Sequence, residues 1–444
     1  MIRIANGQGF WGDWLEAPVR LVEQGPLDYL TLDYLAEVTM SILQKQKQKD
    51  PSRGYASDFP PLIGRIKEAI QSRNVRVIAN AGGVNPVECA RAVRRLAPEL
   101  KVAVIHGDNV LDKLDEWLAA GHEMKNLDTG AALTTIRESI LSANAYIGAF
   151  PVAEALATGA QVVIAGRCTD TALALAPMVH AFEWKHDDWD HLAAGTVAGH
   201  IIECGAQSTG GNCQADWQSI PDMANIGYPI VEAEPDGTFV VTKHEGTGGR
   251  VNLDSVKEQL LYELGDPKNY ITPDCVADFS TIQVEDGGTN RVKVSGVRGR
   301  ERTPFIKLSI SYSAGWKALG TLVYSCPDAL SKAKAANRII RQRLENLGLH
   351  FDEIHTEYFG VNACHGIAAP PVADPVEVML RIGARGSDRV AVDRFTREIV
   401  PLVLNGPPTA TGFGDGRPAV HEVVAYWPAL VPRELIETRV EVVE

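Results

Sequence analysis

The 444-residue sequence lacks most of the features that would name a chemistry at once. Its seven cysteines (Cys89, Cys168, Cys204, Cys213, Cys275, Cys326 and Cys364) are scattered and form no C-x-x-C pair. Such spacing supports neither a disulfide framework nor a structural zinc module. No run approaches the ~20 apolar residues of a membrane-spanning helix. The longest near-apolar stretch, Ser139 to Ala153, is interrupted by Asn144, Gly148 and Pro151. The N-terminal Met1-Ile2-Arg3-Ile4-Ala5-Asn6 has the pattern of a strand, so no signal peptide is expected. Positive charge is in deficit, with 43 Lys and Arg against 56 Asp and Glu, a net charge of -13. That balance argues against a general binder of nucleic acid or of an anionic membrane surface. A P-loop, a G-x-S-x-G elbow, an H-E-x-x-H helix and an EF-hand loop are all missing. The expectation is a cytoplasmic protein in a reducing compartment, with no metal site and no cofactor assigned.

What remains is the composition of an ordinary globular chain, 45% hydrophobic with 40 Gly and 25 Pro. Short apolar runs at Arg3–Ala5, Tyr29–Leu32, Val75–Ala79, Val102–Ile105, Ala143–Ile147 and Gln161–Ala165 alternate with amphipathic segments. This pattern predicts an α/β fold with a mostly parallel sheet covered by helices on both faces. Prolines after Asn85 and Phe150 mark helix starts. A long helical region from Thr169 to Ala206 follows, then a hairpin over Pro229–Thr242 and alternating segments between 276 and 324. The change of texture places an α+β domain at 226–444 after an α/β domain at 1–225.

In an open α/β sheet the residues just beyond the strands face the ligand crevice. Here they are Asn6-Gly7-Gln8-Gly9, Asp33-Tyr34 with Glu37, Asn80-Ala81-Gly82-Gly83, His106-Gly107-Asp108 and Gly166-Arg167-Cys168-Thr169-Asp170. Almost every one is polar or glycine, although strand-to-helix turns have that composition anyway. His106 and Asp108 pair an imidazole with a carboxylate as candidate acid–base groups, while Asp108 would also serve as a helix cap. Arg167 is a candidate anion holder, with Asp170 beside it, and Cys168 a candidate thiol. Gly7, Gly9 and Gly12 with Asp33 fit the G-x-G-x-x-G dinucleotide spacing, but Phe10 and Trp11 are bulky where a pyrophosphate would approach. Glu203 and Gln207 share a helical face just before Thr209-Gly210-Gly211-Asn212, which offers free amides. A second Gly-rich element carries His244, Glu245 and Thr247.

These elements in order resemble the AtuA family, named for acyclic terpene utilisation. The resemblance runs from Ala5-Asn6-Gly7-Gln8-Gly9-Phe10 and Leu27-Asp28-Tyr29-Leu30 through Gly166-Arg167-Cys168-Thr169-Asp170, the 203–212 stretch and His244-Glu245-Gly246-Thr247-Gly248-Gly249. It ends on Asn405-Gly406-Pro407-Pro408-Thr409-Ala410-Thr411-Gly412 and Tyr426-Trp427-Pro428, so it covers essentially the whole chain. The resemblance implies breakdown of acyclic terpenes or other branched organic acids, alongside enzymes of acyl-CoA metabolism. It carries over no established reaction.

Pooling both readings, the expectation is lyase- or hydratase-like chemistry on a small anionic or CoA-thioester substrate. His106, Asp108, Glu203, His244 and Glu245 would move protons. Asn6, Gly7, Asn80, Gly82, Gly83, Arg167, Asp170, Gln207, Thr209, Gly210, Gly211, Asn212 and Thr247 would bind substrate. The competing reading is a non-catalytic subunit that binds such a ligand for a partner enzyme. A homo-oligomer is expected. Relatives carry, or are accompanied by, a further domain of about a hundred residues, so a small partner subunit is a further expectation. The loop Thr409–Arg417 is either a lid or a subunit contact.

Overall fold

A computed structural model describes residues 1–373, 375–412 and 416–444, without the side chain of Glu37. Strands β1 (Ile2–Asn6), β2 (Tyr29–Leu32), β3 (Arg76–Ala79), β4 (Val102–His106), β5 (Ile140–Ala145) and β6 (Val162–Ile164) alternate with helices. The helices are α1 (Glu16–Gln24), α2 (Glu37–Lys49), α3 (Phe59–Arg73), α4 (Pro86–Leu96), α5 (Leu114–Ala119) and α6 (Ala149–Ala157). Next come α7 (Ala172–Phe182), α8 (Trp189–Ile202), the hairpin β7 (Ile230–Ala233) and β8 (Phe239–Thr242), and α9 (Leu253–Leu261). Short strands β9 (Tyr270–Ile271), β10 (Val276–Asp278), β11 (Gln283–Asp286), β12 (Val292–Ser295) and β13 (Arg298–Arg300) precede the 21-residue strand β14 (Phe305–Ser325). The rest is α10 (Ala329–Asn346), β15 (Glu353–Phe359), β16 (Glu377–Gly386), α11 (Arg389–Thr396), α12 (Leu402–Asn405), β17 (Ala410–Gly412), β18 (Val420–Pro432) and β19 (Arg439–Val443).

The chain divides into two compact units, Met1–Ser311 with Tyr426–Glu444, and Tyr312–Ala425. The first holds a ten-stranded mixed sheet. Its centre is parallel, in the order β1-β2-β3-β6-β4. Strands β7, β8, β12 and β11 extend the β1 edge antiparallel, and β19 closes the β4 edge the same way. In the second unit, β15, β16, the later part of β14 and β17 form an antiparallel sheet, and α10 and α11 pack on β16.

The central strands read as unbroken apolar runs because both faces are covered. Alternate residues enter different cores. Ile4, Ile78 and Val163 join a core built with α6, α7 and α8. Ala5, Val77 and Ile164 join another built with α1, α3 and α4. Each such isoleucine or valine side chain contributes about 1.5–3 kcal/mol when fully buried. Helices α7 and α8 are apolar on nearly all sides and correspondingly buried. Among the described residues, no helix is long and apolar enough to cross a membrane.

The structure departs from the sequence expectations in four places. Strand β5, expected in the parallel sheet, pairs with β14 instead. Its Asn144 turns inward to hold Asp108, which a central apolar strand would not permit. At residue 225, where the sequence changes texture, the sheet passes from parallel to antiparallel neighbours; β7 hydrogen-bonds directly to β1, so both sides share one unit. The alternating segments between 305 and 324 form one strand, because the chain continues through Gly315 with a left-handed φ of 93°. Helix α6 begins at Ala149, with Pro151 in its first turn, where an N–H has no helical partner. Of the Thr409–Arg417 loop, Phe413, Gly414 and Asp415 lie outside the described residues.

One glycine tests the packing around the strand ends. A Cβ on Gly82 would lie 2.6 Å from the Ala165 carbonyl oxygen and 2.7 Å from Pro86 Cβ. Gly82→Ala is therefore expected to lower unfolding free energy by about 1–3 kcal/mol in urea titrations, as overpacking does. An unchanged midpoint would contradict this packing.

Candidate functional site

The turns after β1, β2 and β6 and the segment after α8 converge beyond the carboxyl ends of the parallel strands. They line a cleft with two lobes. One, of about 560 Å³, is bounded by Asp13, Asp33, Asp170, Glu203, Gln207 and Glu263, among others. The other, of about 470 Å³, is bounded by the apolar Leu127, Ile271, Phe305, Ile306 and Leu430 and by Tyr146, Tyr270, Lys307 and several threonines, among others. Arg167, Asp170 and Glu203 border both.

Arg167 organises the junction. Its side chain is only 2% exposed. The backbone N–H donates to Asp108 Oδ2 at 2.8 Å, and Asn144 Nδ2 donates to the same oxygen at 2.9 Å. Gly166 leaves room for that carboxylate, since a Cβ there would sit 2.4 Å from Asp108 Oδ2. The guanidinium donates to the Leu35 carbonyl and, at 2.8 Å, to Asp170 Oδ1, and lies 4.4 Å from the Tyr146 ring centroid. Burial opposes its charge, but Asp170, Tyr146 and Asp33 outweigh burial and keep it protonated.

Burial acts in the other direction on the carboxyls. Asp33 stands well above the ordinary carboxylate range, first because it is buried and then because Asp170 is close. Its Oδ1 accepts from Asn80 Nδ2 at 2.7 Å and from the Leu35 N–H at 3.1 Å, and Asn80 Oδ1 in turn accepts from the Tyr34 N–H at 2.7 Å. Burial raises Asp108 to about 6. Glu203 is raised to about 7, mainly by burial, against the opposing pull of His200. Glu203 Oε1 lies 3.2 Å from His200 Nδ1, while Oε2 has no hydrogen-bond partner among the described residues. His200 is itself buried. Burial would lower its pKa, yet the hydrogen bond and charge of Glu203 carry it above the usual value. Tyr270 Oη lies 3.4 Å from the same nitrogen. The result is a buried carboxyl–imidazole pair able to exchange a proton near neutral pH.

The other residues singled out by sequence fall into three groups. Gln207, Gly211 and Asn212 line the acidic lobe with Arg167, Asp170 and Glu203. Asn6, Gly7, Asn80, Gly82, Gly83, Thr209 and Gly210 do not line it and are held in the packing behind it. Asn6 Nδ2 donates to the carbonyls of Ile202 and Glu203 at 2.8 Å each, which fixes the end of α8. Thr209 Oγ1 donates to the carbonyls of Ala206 and Gly227. Gly7 packs on Leu30 and Pro18, Gly83 on Leu43, and Gly210 on Ile220.

The third group lies elsewhere. His106 points to Glu441 of β19, with Nε2 3.0 Å from Oε2, because the antiparallel β4–β19 pair brings them together. Asp108 serves the Arg167 turn from beneath. His244 packs against Gly25, and Thr247 donates to the His244 carbonyl, which leaves Glu245 exposed on a turn outside the cleft. Burial pushes the Cys168 thiol well up, the opposite of what an activated nucleophile needs. The side chain of Glu37 lies outside the described residues.

The Gly-rich turn after β1 is not arranged for a pyrophosphate. The Gly9 N–H already donates to Asp13 Oδ2 at 2.9 Å, and a Cβ on Gly9 would meet the backbone of Cys204 at 2.9 Å. Tyr228 Oη donates to the other oxygen of Asp13 at 2.7 Å. Among the described residues, no group of three or more His, Cys, Asp and Glu is placed to hold a metal ion.

Sequence reasoning passed over His200, Tyr270 and Asp13. The spacing of His200 and Glu203, three apart on α8 and the turn after it, was the available signal. Tyr270, some seventy residues on in chain order (|i−j| of 70), carried none.

With this geometry in view, the family match is informative. The family described as acyclic terpene utilisation family protein AtuA matches residues 2–442. The chain belongs to the AtuA family. No curated protein and no solved structure matches it significantly. The family description implies a part in the use of acyclic terpenes, and every residue of the cleft falls within the matched span.

The raised Glu203 has a consequence for stability. The folded protein holds this proton up to about pH 7, whereas the unfolded chain releases it near the ordinary glutamate value of 4.5. Between those values the folded state binds more protons, so the contribution of Glu203 is fully present below the lower value and is lost as pH rises through the higher. The unfolding free energy of the wild type minus that of Glu203→Gln should therefore fall between pH 4.5 and 7, by at most about 1.4 kcal/mol per pH unit. A pH-independent difference would show that Glu203 titrates normally.

Proposed function

We propose that this AtuA protein is an acid–base enzyme of branched organic-acid or acyl-CoA breakdown, with lyase- or hydratase-like chemistry. The observation that carries the reading is the Glu203–His200 pair at the junction of an acid-lined lobe and an apolar lobe. Glu203 Oε2 is buried without a hydrogen-bond partner among the described residues, and the carboxyl has an affinity for protons matched to neutral pH, as proton removal beside a carbonyl requires. His200 holds and balances that carboxyl from behind. Asp33, buried beside Asp170 and accepting two N–H bonds on Oδ1, holds its proton to higher pH than an exposed acid does. Several large apolar residues that line the second lobe remain exposed: Leu127 51%, Ile271 61%, Phe305 46% and Leu430 41%. An apolar surface left open beside polar chemistry fits the hydrocarbon chain of a branched acyl group.

Solvent deuterium exchange tests the acid–base role without requiring the final product. Branched acyl-CoA thioesters incubated with the protein in heavy water should gain mass next to the carbonyl. In Glu203→Gln the rate should fall by about 10²–10⁴-fold while the melting temperature is retained. Exchange at the wild-type rate in a folded Glu203→Gln protein would remove Glu203 from the mechanism.

A further inference from the structure

The acid-lined lobe presents Asp13, Asp33, Asp170, Glu203 and Glu263 around a single arginine that Asp170 already neutralises. It is a poor place for the anionic end of a ligand. A third hollow, of about 190 Å³, adjoins the apolar lobe and shares Pro273 and Ile306 with it. We infer that this hollow, lined by Arg302 and Arg433, binds a phosphoryl group. The inference rests on the proposed function insofar as the phosphoryl group would belong to a ligand whose acyl end occupies the cleft.

Arg433 is half-buried and anchored, its Nε and Nη2 both donating to the Thr303 carbonyl. Arg302 lines the same hollow and forms no ion pair among the described residues. Burial lowers the pKa of Arg433, and the charge of Arg302 lowers it further. Asp274 offsets part of this repulsion from a distance, but it makes no ion pair with either arginine among the described residues, and a phosphoryl group between the two guanidinium forks would satisfy both directly.

The hollow also contains carboxyls, and their positions matter. Asp274 turns both oxygens to the Ala149 N–H at 3.0 Å, where it caps α6 in place of a local side chain. Neither Asp274 nor the exposed Glu154 pairs with either arginine among the described residues. The first N–H of α6 is thus already taken by Asp274, and the arginines are the cationic groups the hollow offers an anion. At the edge, the His186 ring stacks on Phe150 with centroids 3.6 Å apart and planes at 20°. Such a stack offers a flat surface to a heterocyclic base. A nucleoside-borne phosphoryl group and free phosphate share the same recognition chemistry, and binding measurements separate them.

Isothermal calorimetry on the intact protein would use adenosine 3′,5′-bisphosphate, the nucleotide end of coenzyme A, and inorganic phosphate. The bisphosphate is expected to bind wild type and Glu203→Gln equally, and at least about tenfold more weakly to Arg302→Gln with an unchanged melting temperature. Arg433→Lys supplies a second variant in which a positive charge is kept but the fork is lost. Phosphate binding as tightly as the bisphosphate, with the same Arg302 dependence, would keep the site and assign it to free phosphate. If neither probe binds, or if both arginine variants bind the bisphosphate as tightly as wild type, the inference is overturned. The acid–base reading has its own readout in deuterium exchange, so the two fail independently.

Discussion

A guanidinium buried among carboxyls constrains this protein more than any other single group. Arg167 is almost entirely withdrawn from water, so its charge must be answered within the protein. Asp170, the Leu35 carbonyl and the Tyr146 ring do so, and they come from different turns beyond the sheet. Asp108 and Asn144 hold the backbone from below. Losing one partner of such a charge typically costs about 3–5 kcal/mol, far more than a surface ion pair contributes. The turns after β2 and β6 are thereby locked to each other, and the cleft they border keeps one shape.

The same shortage of water that demands partners for Arg167 changes the carboxyls around it. Asp33, Asp108 and Glu203 all retain protons to higher pH than exposed acids do. Desolvation leads in each case, and the neighbouring charges and hydrogen bonds then separate them. Asp33 sits beside Asp170, which pushes it up further, whereas Glu203 meets an imidazole that pulls it back to about 7. An acid–base site follows from burial and neighbours, without an unusual residue type. The lobe beyond it carries large apolar residues beside Lys307 and several threonines, and the adjoining hollow sets Arg302 and Arg433 beside Asp274 and Glu154.

Part of this was readable from the chain in order. Unbroken apolar runs separated by amphipathic helices marked a covered parallel sheet, and polar turns after them marked its carboxyl edge. Arg167 and Asp170 were picked out on that basis, and Glu203 from its helical face shared with Gln207 before a Gly-rich turn; the structure places all three at the junction of the lobes. The hairpin at β7 and β8 was visible from its turn, where Gly237 has a left-handed φ of 83°. His106 and His244 carry the same residue-level signal as His200, yet one pairs with Glu441 on β19 and the other packs on Gly25. Nothing local distinguishes an imidazole that faces a cleft from one that faces a neighbouring strand.

The sequence by itself determined the alternation of elements, the apolar content of the central strands and the positions of the turns, because backbone propensity and the period of burial act over a few residues. It also determined the acidic balance of the chain and the family to which it belongs. Only the tertiary structure decided that β5 leaves the parallel sheet, that β19 returns to pair with β4, and that Tyr270 reaches His200. Only the fold, too, decided which carboxyls lose their water. Desolvation depends on every element packed around a group, and those elements lie far apart in the chain.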